Sequence, residues 1–364
     1  MTADIQGICQ PEFLPIKEAF LKGFDAGLEK GASVAVMREG KMVVDLWGGF
    51  ANAKETRPWQ EDTLAQIAST TKIMTTLCAL MVIDQGKLDP DAPVVEYWPE
   101  FGKHGKDKVL VRHVFDHSAG VPGWSPPIPF STVYDWDETI HTLEDQKLWW
   151  EPGTQRGYHA ETFGFLAGEL IRRVSGLTPG KFLRQEVTSK IDADFFIGIP
   201  ESEVRRCAQM ITNDELFQAS WLEMGWDEGS IGARTMNCFL PPMWHDINCL
   251  INEIPGGNGI GNARSVAKIG SVLANGGELC GHRFLSPATI ELALTELSYE
   301  TDVVTGMKIR RGFGMGLNSD EFECPSERAL HWGGKGGSVC VMDLESRTCF
   351  AYAMNNWLPG IKSD

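Results

Sequence analysis

Two stretches near opposite ends of the chain set the strongest limit on its fold. Ala32-Ser33-Val34-Ala35-Val36-Met37 and Met42-Val43-Val44-Asp45-Leu46-Trp47 are β-rich runs joined by Arg38-Glu39-Gly40-Lys41, which reads as a hairpin with a glycine turn. Far downstream, Ser338-Val339-Cys340-Val341-Met342 and Thr348-Cys349-Phe350-Ala351-Tyr352-Ala353-Met354 flank the turn Asp343-Leu344-Glu345-Ser346-Arg347 and mirror the first pair. Strands from both ends can therefore share one sheet. Ahead of the first hairpin, Phe13 to Lys30 sets Ile16, Phe20, Phe24 and Leu28 at helical spacing and stops at Gly31. Between the hairpins lie helical patches at 67–85, 161–175, 265–274 and 287–297, and long loops such as Gly120-Val121-Pro122-Gly123-Trp124-Ser125-Pro126-Pro127. The expected fold is α/β: an antiparallel sheet built from N- and C-terminal strands, flanked by helices, with an inserted and mostly helical region. Residues 1–67 and 255–364 would form the sheet domain and 68–254 the insertion, with a cleft between them as the default site.

Composition narrows the function classes. A chain of 364 residues, 43% hydrophobic and 23% charged, is ordinary for a globular protein and carries no apolar run long enough to span a bilayer. A net charge of −16, without a Lys/Arg cluster, repels phosphate backbones, so no nucleic-acid partner and no membrane partner is expected. The start, Met1-Thr2-Ala3-Asp4-Ile5-Gln6-Gly7, has neither a basic n-region nor a hydrophobic h-region, and nine cysteines without a Cys-x-x-Cys pair fit reduced thiols. Both point to a cytoplasmic protein.

The candidate chemistry begins at Ser69-Thr70-Thr71-Lys72, which opens an apolar helix ending near Gly86 and Pro90. Residues three apart on a helix lie on one face, with Cβ atoms roughly 5–6 Å apart, so the Lys72 amine can reach the Ser69 hydroxyl. A first-turn serine can also simply cap orphan N–H groups. As a nucleophile it would gain from those same N–H groups and from the positive helix end, which stabilise charge developing at a bound acyl group. Lys72 must then be neutral, or act as a hydrogen-bonded proton shuttle, when Ser69 loses its proton. Ser265-Val266-Ala267-Lys268 repeats the pattern and is a competing candidate.

A serine attacking a carbonyl needs a proton relay, and a Ser-Lys pair usually recruits a third polar group. Of five tyrosines, Tyr158 lies on a loop just before a strong helix, where its side chain can project into a cleft or pack against Trp149 or Trp150. The third element is His331-Trp332-Gly333-Gly334-Lys335-Gly336-Gly337-Ser338, entering the first C-terminal strand. Such glycines mark a bulged strand or the close approach of a ligand, with the Lys335 backbone N–H as a second oxyanion donor beside that of Ser69.

These three boxes, in this order, resemble the serine β-lactamase and penicillin-recognising superfamily, in particular class C β-lactamase-like proteins and family VIII carboxylesterases. Asp116-His117-Ser118-Ala119-Gly120-Val121-Pro122, Glu151-Pro152-Gly153-Thr154 and Gly256-Gly257-Asn258-Gly259-Ile260-Gly261-Asn262-Ala263-Arg264 also fit it. The resemblance covers most of the chain, implies a class C β-lactamase-like fold, and sets Ser265 aside, because the family's nucleophile precedes the other two boxes. Two departures stand out. Tyr158-His159-Ala160 replaces the lactamase Tyr-x-Asn, removing an amide that helps hold a β-lactam side chain. Trp332 stands where the lactamase has a cationic lysine, and an indole suits an uncharged acyl or alkoxy group better than a carboxylate.

Other constellations fall short. There is no Gly-x-Ser-x-Gly elbow, Val114 sits where a His113-to-His117 zinc motif needs glutamate, and no metal or cofactor is expected. His117 and His331 read as structural, and His159 reads as a residue that faces solvent, tunes Tyr158 or touches substrate. Tryptophans from 124 to 150 and from 221 to 244 either line an apolar pocket or pack in the core. The sequence therefore predicts a serine hydrolase in which Ser69 attacks, Lys72 and Tyr158 share the proton, and Ser69, Trp332, Gly333, Gly334, Lys335 and His159 bind the oxyanion or the substrate. The substrate class is a small-molecule ester or amide, preferably a short to medium acyl ester. A β-lactamase, a D-amino-acid peptidase, an acyltransferase and a non-catalytic binding protein on the same scaffold are the alternatives.

Overall fold

The computed structural model describes residues 4–212, 227, 229–240 and 246–358; Trp221, Trp226 and Trp244 lie outside them. Among the described residues, nine strands form the main antiparallel sheet: β1 (Gln6–Cys9), β2 (Gly31–Arg38), β3 (Lys41–Gly49), β4 (Ser298–Thr301), β5 (Lys308–Arg311), β6 (Gly316–Leu317), β7 (Ala329–Gly333), β8 (Val339–Asp343) and β9 (Thr348–Met354). Their spatial order is β1-β3-β2-β9-β8-β7-β6-β5-β4. The two ends of the chain meet as expected, because β9 pairs with β2, setting Tyr352 opposite Val34 and Met354 opposite Ala32. The first hairpin turns at Glu39 and Gly40, with φ of 51° and 74°. Two consecutive positive φ values match the right-handed twist of the flanking strands.

The principal helices are α1 (Leu14–Asp25), α2 (Thr71–Asp84), α3 (Trp136–Asp145), α4 (Thr162–Ser175), α5 (Ala263–Ala274) and α6 (Pro287–Leu294). Strand periodicity divides the sheet's side chains between two layers. Val34, Val36, Val44 and Leu46 pack with Phe20 of α1, whereas Ala35, Met37, Cys340, Met342 and Cys349 join the larger core that includes α2 and α5. A Cβ on Gly270 of α5 would lie 2.6 Å from Cys349 Sγ and 2.8 Å from Cys340 Sγ, so a glycine there lets the helix press onto the sheet. Among the described residues, no helix is long and apolar enough to cross a membrane.

Helix α2 occupies the centre. Every side chain from Thr71 to Val82 is buried, the pattern of a helix surrounded by protein. Its polar members are satisfied: Thr75 Oγ1 donates to the Pro255 carbonyl at 2.6 Å and Thr76 Oγ1 to that of Gly314 at 3.3 Å. Helix α4 packs beside α2. A Cβ on Gly164 of α4 would lie 2.1 Å from Gly256 N, which brings the Pro255-to-Gly259 segment against both helices.

Three expectations change. Helix α1 ends at Asp25, and Gly31 opens β2 instead of closing the helix. A Cβ at Gly31 would lie 2.2 Å from the Phe50 carbonyl oxygen, so close strand packing accounts for that glycine. Helix α6 stops at Leu294, three residues early, because the chain then enters β4. The His331-to-Ser338 segment does not simply enter β8. It forms the end of a separate strand, β7, and a tight turn in which Gly337 N–H donates to the Gly334 carbonyl.

Candidate active site

Ser69 sits at the joint between a single 3₁₀ turn, Ala68–Thr70, and α2. No side chain caps either segment, so its hydroxyl is not spent on the helix end as a capping serine's would be. The preceding Ala68 has φ of 44°, a conformation uncommon for alanine that costs energy and persists where the surroundings enforce it. Thr71 helps to enforce it: Oγ1 donates to the Ala68 carbonyl at 2.5 Å and accepts from Gly259 N–H at 2.7 Å. Ser69 is half-buried while Ala68, Thr70, Thr71 and Lys72 are buried. The turn presents one side chain to the outside.

Lys72 and Tyr158 converge on that hydroxyl. Lys72 Nζ lies 3.2 Å from Ser69 Oγ, and the Tyr158 hydroxyl donates to the same oxygen at 2.6 Å. Lys72 is fully buried, and its nitrogen also donates to the carbonyls of Ala160 at 2.6 Å and Gly256 at 2.7 Å. Those two carbonyls fix two of the three donor positions of the amine. The third, whether it carries a proton or a lone pair, is thereby aimed at Ser69. Tyr158 is held by its ring, edge-on to His117 at 5.2 Å and tilted against Trp332 at 5.9 Å. It does not pack as a detached loop tyrosine.

The β7 edge forms the third wall. A Cβ on Gly334 would lie 2.3 Å from the Ile67 carbonyl oxygen and 3.1 Å from Ser69 N, so the strand end abuts the serine amide. Only glycine fits that approach, and it brings Lys335, the next residue, alongside. Gly333 is less confined: a Cβ there would have the Ser338 carbonyl oxygen, at 3.5 Å, as its nearest neighbour. Ser338 latches the two segments: its Oγ donates to the Ile67 carbonyl at 2.7 Å and lies 3.0 Å from Thr70 Oγ1. Trp332 is only 8% exposed and stacks on His117 at 5.9 Å. The two aromatic neighbours occupy much of the indole, which restricts what it can offer a substrate.

His159 differs from its expected placement. It is fully buried, Nδ1 pairs with the Gly157 carbonyl at 2.6 Å, and Nε2 accepts from Val121 N–H at 3.1 Å. With both ring nitrogens committed to backbone, it fixes the loop carrying Tyr158 and does not face solvent or a substrate. Burial, reinforced by the cations Arg311 and Lys72 against the opposing Gly157 bond, lowers its pKa to about 3. His117 is also buried, and its Nδ1 accepts from His159 N–H at 3.2 Å. His331 stacks on Phe322 with ring centroids 3.7 Å apart, and burial lowers its pKa to about 4. Trp124 is a core residue, 2% exposed, with Nε1 donating to Thr142 Oγ1.

The competing Ser265-x-x-Lys268 pair does not assemble. Ser265 Oγ accepts from Asp194 N–H at 2.8 Å, and Lys268 Nζ goes to the Asp192 carbonyl at 2.5 Å. Sequence reasoning missed the supports of the site: Thr70, Thr71 and Ser338, and the carbonyls of Ala160 and Gly256. A backbone carbonyl has no sequence signature. The glycines at 256 and 257 were the available signal for a tightly packed turn.

Known proteins share this fold. The Beta-lactamase family profile matches residues 20–361. The chain is 30% identical to the esterase/beta-lactamase LipL of Mycobacterium tuberculosis, over 97% of this chain and 83% of that protein. Among solved structures, a family VIII carboxylesterase superposes with a TM-score of 0.90 at 38% identity, covering 99% of this chain and 96% of that one. A penicillin-binding protein homologue from Caulobacter crescentus superposes at 0.89 with 34% identity, covering 99% and 96%. With the fold and the family agreeing over nearly the whole length, the chain belongs to the Beta-lactamase family and is a serine hydrolase related to its esterases.

Proposed function

We propose that the chain is a carboxylesterase for short to medium acyl esters, working through an acyl-enzyme on Ser69. The observation that carries this reading is a half-buried serine whose oxygen is bracketed by Tyr158 at 2.6 Å and Lys72 at 3.2 Å. Ser69 Oγ attacks the ester carbonyl as its proton passes to the Lys72–Tyr158 pair, and the N–H groups of Ser69 and Lys335 receive the oxyanion. The same pair returns the proton to the departing alkoxide, leaving an acyl-serine. Water then attacks with its proton moving onto the pair, and serine is regenerated as the acid leaves.

Esters are favoured over β-lactams because Ala160 supplies no side-chain amide and Trp332 no cation. Relatives named as a family VIII carboxylesterase and an esterase/beta-lactamase support the same direction. The test compares wild type with Ser69→Ala on p-nitrophenyl butyrate and on nitrocefin. Ester turnover that falls by about 10³-fold or more in the variant, with little nitrocefin opening by wild type, is the expected result. Faster nitrocefin opening would return the chain to β-lactam hydrolysis, and ester turnover that survives in Ser69→Ala would overturn the mechanism.

A further inference from the structure

Among the described residues, one carboxylate beside this site is left without a partner. Glu161 directly follows Ala160, whose carbonyl holds Lys72, and its Oε2 lies 3.4 Å from where a Cβ on Gly257 would sit. Gly257 in turn follows Gly256, the other carbonyl on Lys72. Glu161 stands at the N-cap position of α4, yet its side chain makes no capping hydrogen bond, and among the described residues it has no hydrogen bond or ion pair. Lys72 and Lys335 are the cations whose fields reach it. Neither is within ion-pair distance: the Lys72 donors go to Ser69 and two carbonyls, and Lys335 Nζ lies over the Trp357 ring at 5.8 Å. Ser69, Tyr158, Glu161 and Lys335 are half-buried while Ala68, Thr70, His159, Ala160 and Thr162 are buried, so these four residues can be reached from outside.

We propose that Glu161 is a specificity-determining residue that favours substrates carrying a cationic group near the scissile ester. This deepens the esterase reading and rests on it. A half-buried carboxylate is partly shielded from bulk water, so a ligand cation brought beside it gains more than it would beside a fully exposed one. Burial accordingly pushes the Glu161 carboxyl upward, with Lys72 and Lys335 pulling it back. The molecular charge of −16 acts in the same sense over longer distances, drawing cations in and turning anions away. A purely structural role, complementing the α4 dipole, predicts a stability effect without any effect on substrate choice.

The test uses pairs of substrates equal in shape and differing in charge. Butyrylcholine is compared with its analogue in which carbon replaces nitrogen, and p-nitrophenyl γ-(trimethylammonio)butyrate with the corresponding carbon analogue, so both sides of the ester are covered. In at least one pair, the cationic-to-neutral ratio of kcat/KM exceeds one for wild type. It falls on the order of tenfold in Glu161→Gln and further in Glu161→Lys, as expected for removing and reversing one nearby charge. An unchanged ratio in both pairs overturns the proposal, and an unchanged ratio with a lowered Tm assigns Glu161 to the helix end. Calorimetric titration of wild type and Glu161→Gln with choline and its carbon analogue reads the same discrimination without chemistry. Absence of ester turnover by wild type would condemn the esterase reading, while the titration still decides on Glu161: weaker choline binding in the variant supports the proposal and equal binding overturns it.

Discussion

Gly333 and Gly334 are chain neighbours with opposite tolerance for a side chain. Alanine at 334 would force its methyl to 2.3 Å from the Ile67 carbonyl oxygen and 2.4 Å from Ser338 Oγ, whereas at 333 the nearest atom lies at 3.5 Å. Because the obstacle at 334 is largely backbone, it cannot rotate aside, and either the strand end or the serine turn must move. Gly334→Ala is expected to lower Tm by roughly 5 °C or more and to reduce kcat for p-nitrophenyl butyrate. Gly333→Ala should melt close to wild type, so equal melting curves for the two variants would contradict this packing. Tyr158→Phe separates chemistry from packing at the same site. It keeps the ring against His117 and Trp332 but removes the 2.6 Å hydrogen bond to Ser69. The expected loss in kcat is about 10²-fold to 10⁴-fold, with Tm little changed; a kcat within a factor of about three of wild type would remove Tyr158 from the proton relay.

Helices α2 and α5 begin with the same Ser-x-x-Lys spacing and serve different ends. In α5, Asn262 is the N-cap, its Oδ1 accepting from Ser265 N–H at 2.9 Å, and Ser265 is turned toward Asp194. In α2 there is no side-chain cap, and the serine precedes the α-helix within a 3₁₀ turn. Asn262→Ala is therefore expected to cost about 1 kcal/mol of stability, as loss of a cap does, with the kcat of the neutral ester retained. Urea unfolding and an ester assay on the same preparation check both parts. The presence of both helices was legible because apolar periodicity is local, whereas their starts, at Thr71 and Ala263, differ by a few residues from the expected 67 and 265. Strands β4 to β6 were not, since they are only two to four residues long, and their pairing partners, not their own composition, hold them extended.

The whole molecule buries histidines in neutral form. His159 and His331 have pKa values lowered to about 3 and about 4 by burial, against an ordinary 6.5. The unfolded chain thus takes up protons at these positions near pH 6.5 while the folded chain does not. Acidification favours unfolding: from pH 6.5 toward 4, stability falls by up to about 1.4 kcal/mol per pH unit for each histidine. A urea midpoint lower at about pH 5 than at about pH 7 is expected, and a midpoint that holds or rises would contradict the burial. The sequence alone determined the two terminal hairpins, the central apolar helix, and the order of Ser69, Tyr158 and the Trp332-Gly333-Gly334 edge, because periodicity, turn chemistry and motif spacing are properties of neighbouring residues. It did not determine that Lys72 would be steered by the carbonyls of Ala160 and Gly256, or that His159 would be sealed inside. Those outcomes depend on segments about forty to two hundred and seventy residues apart closing on one another, and only the packed tertiary structure brings such segments within hydrogen-bond distance.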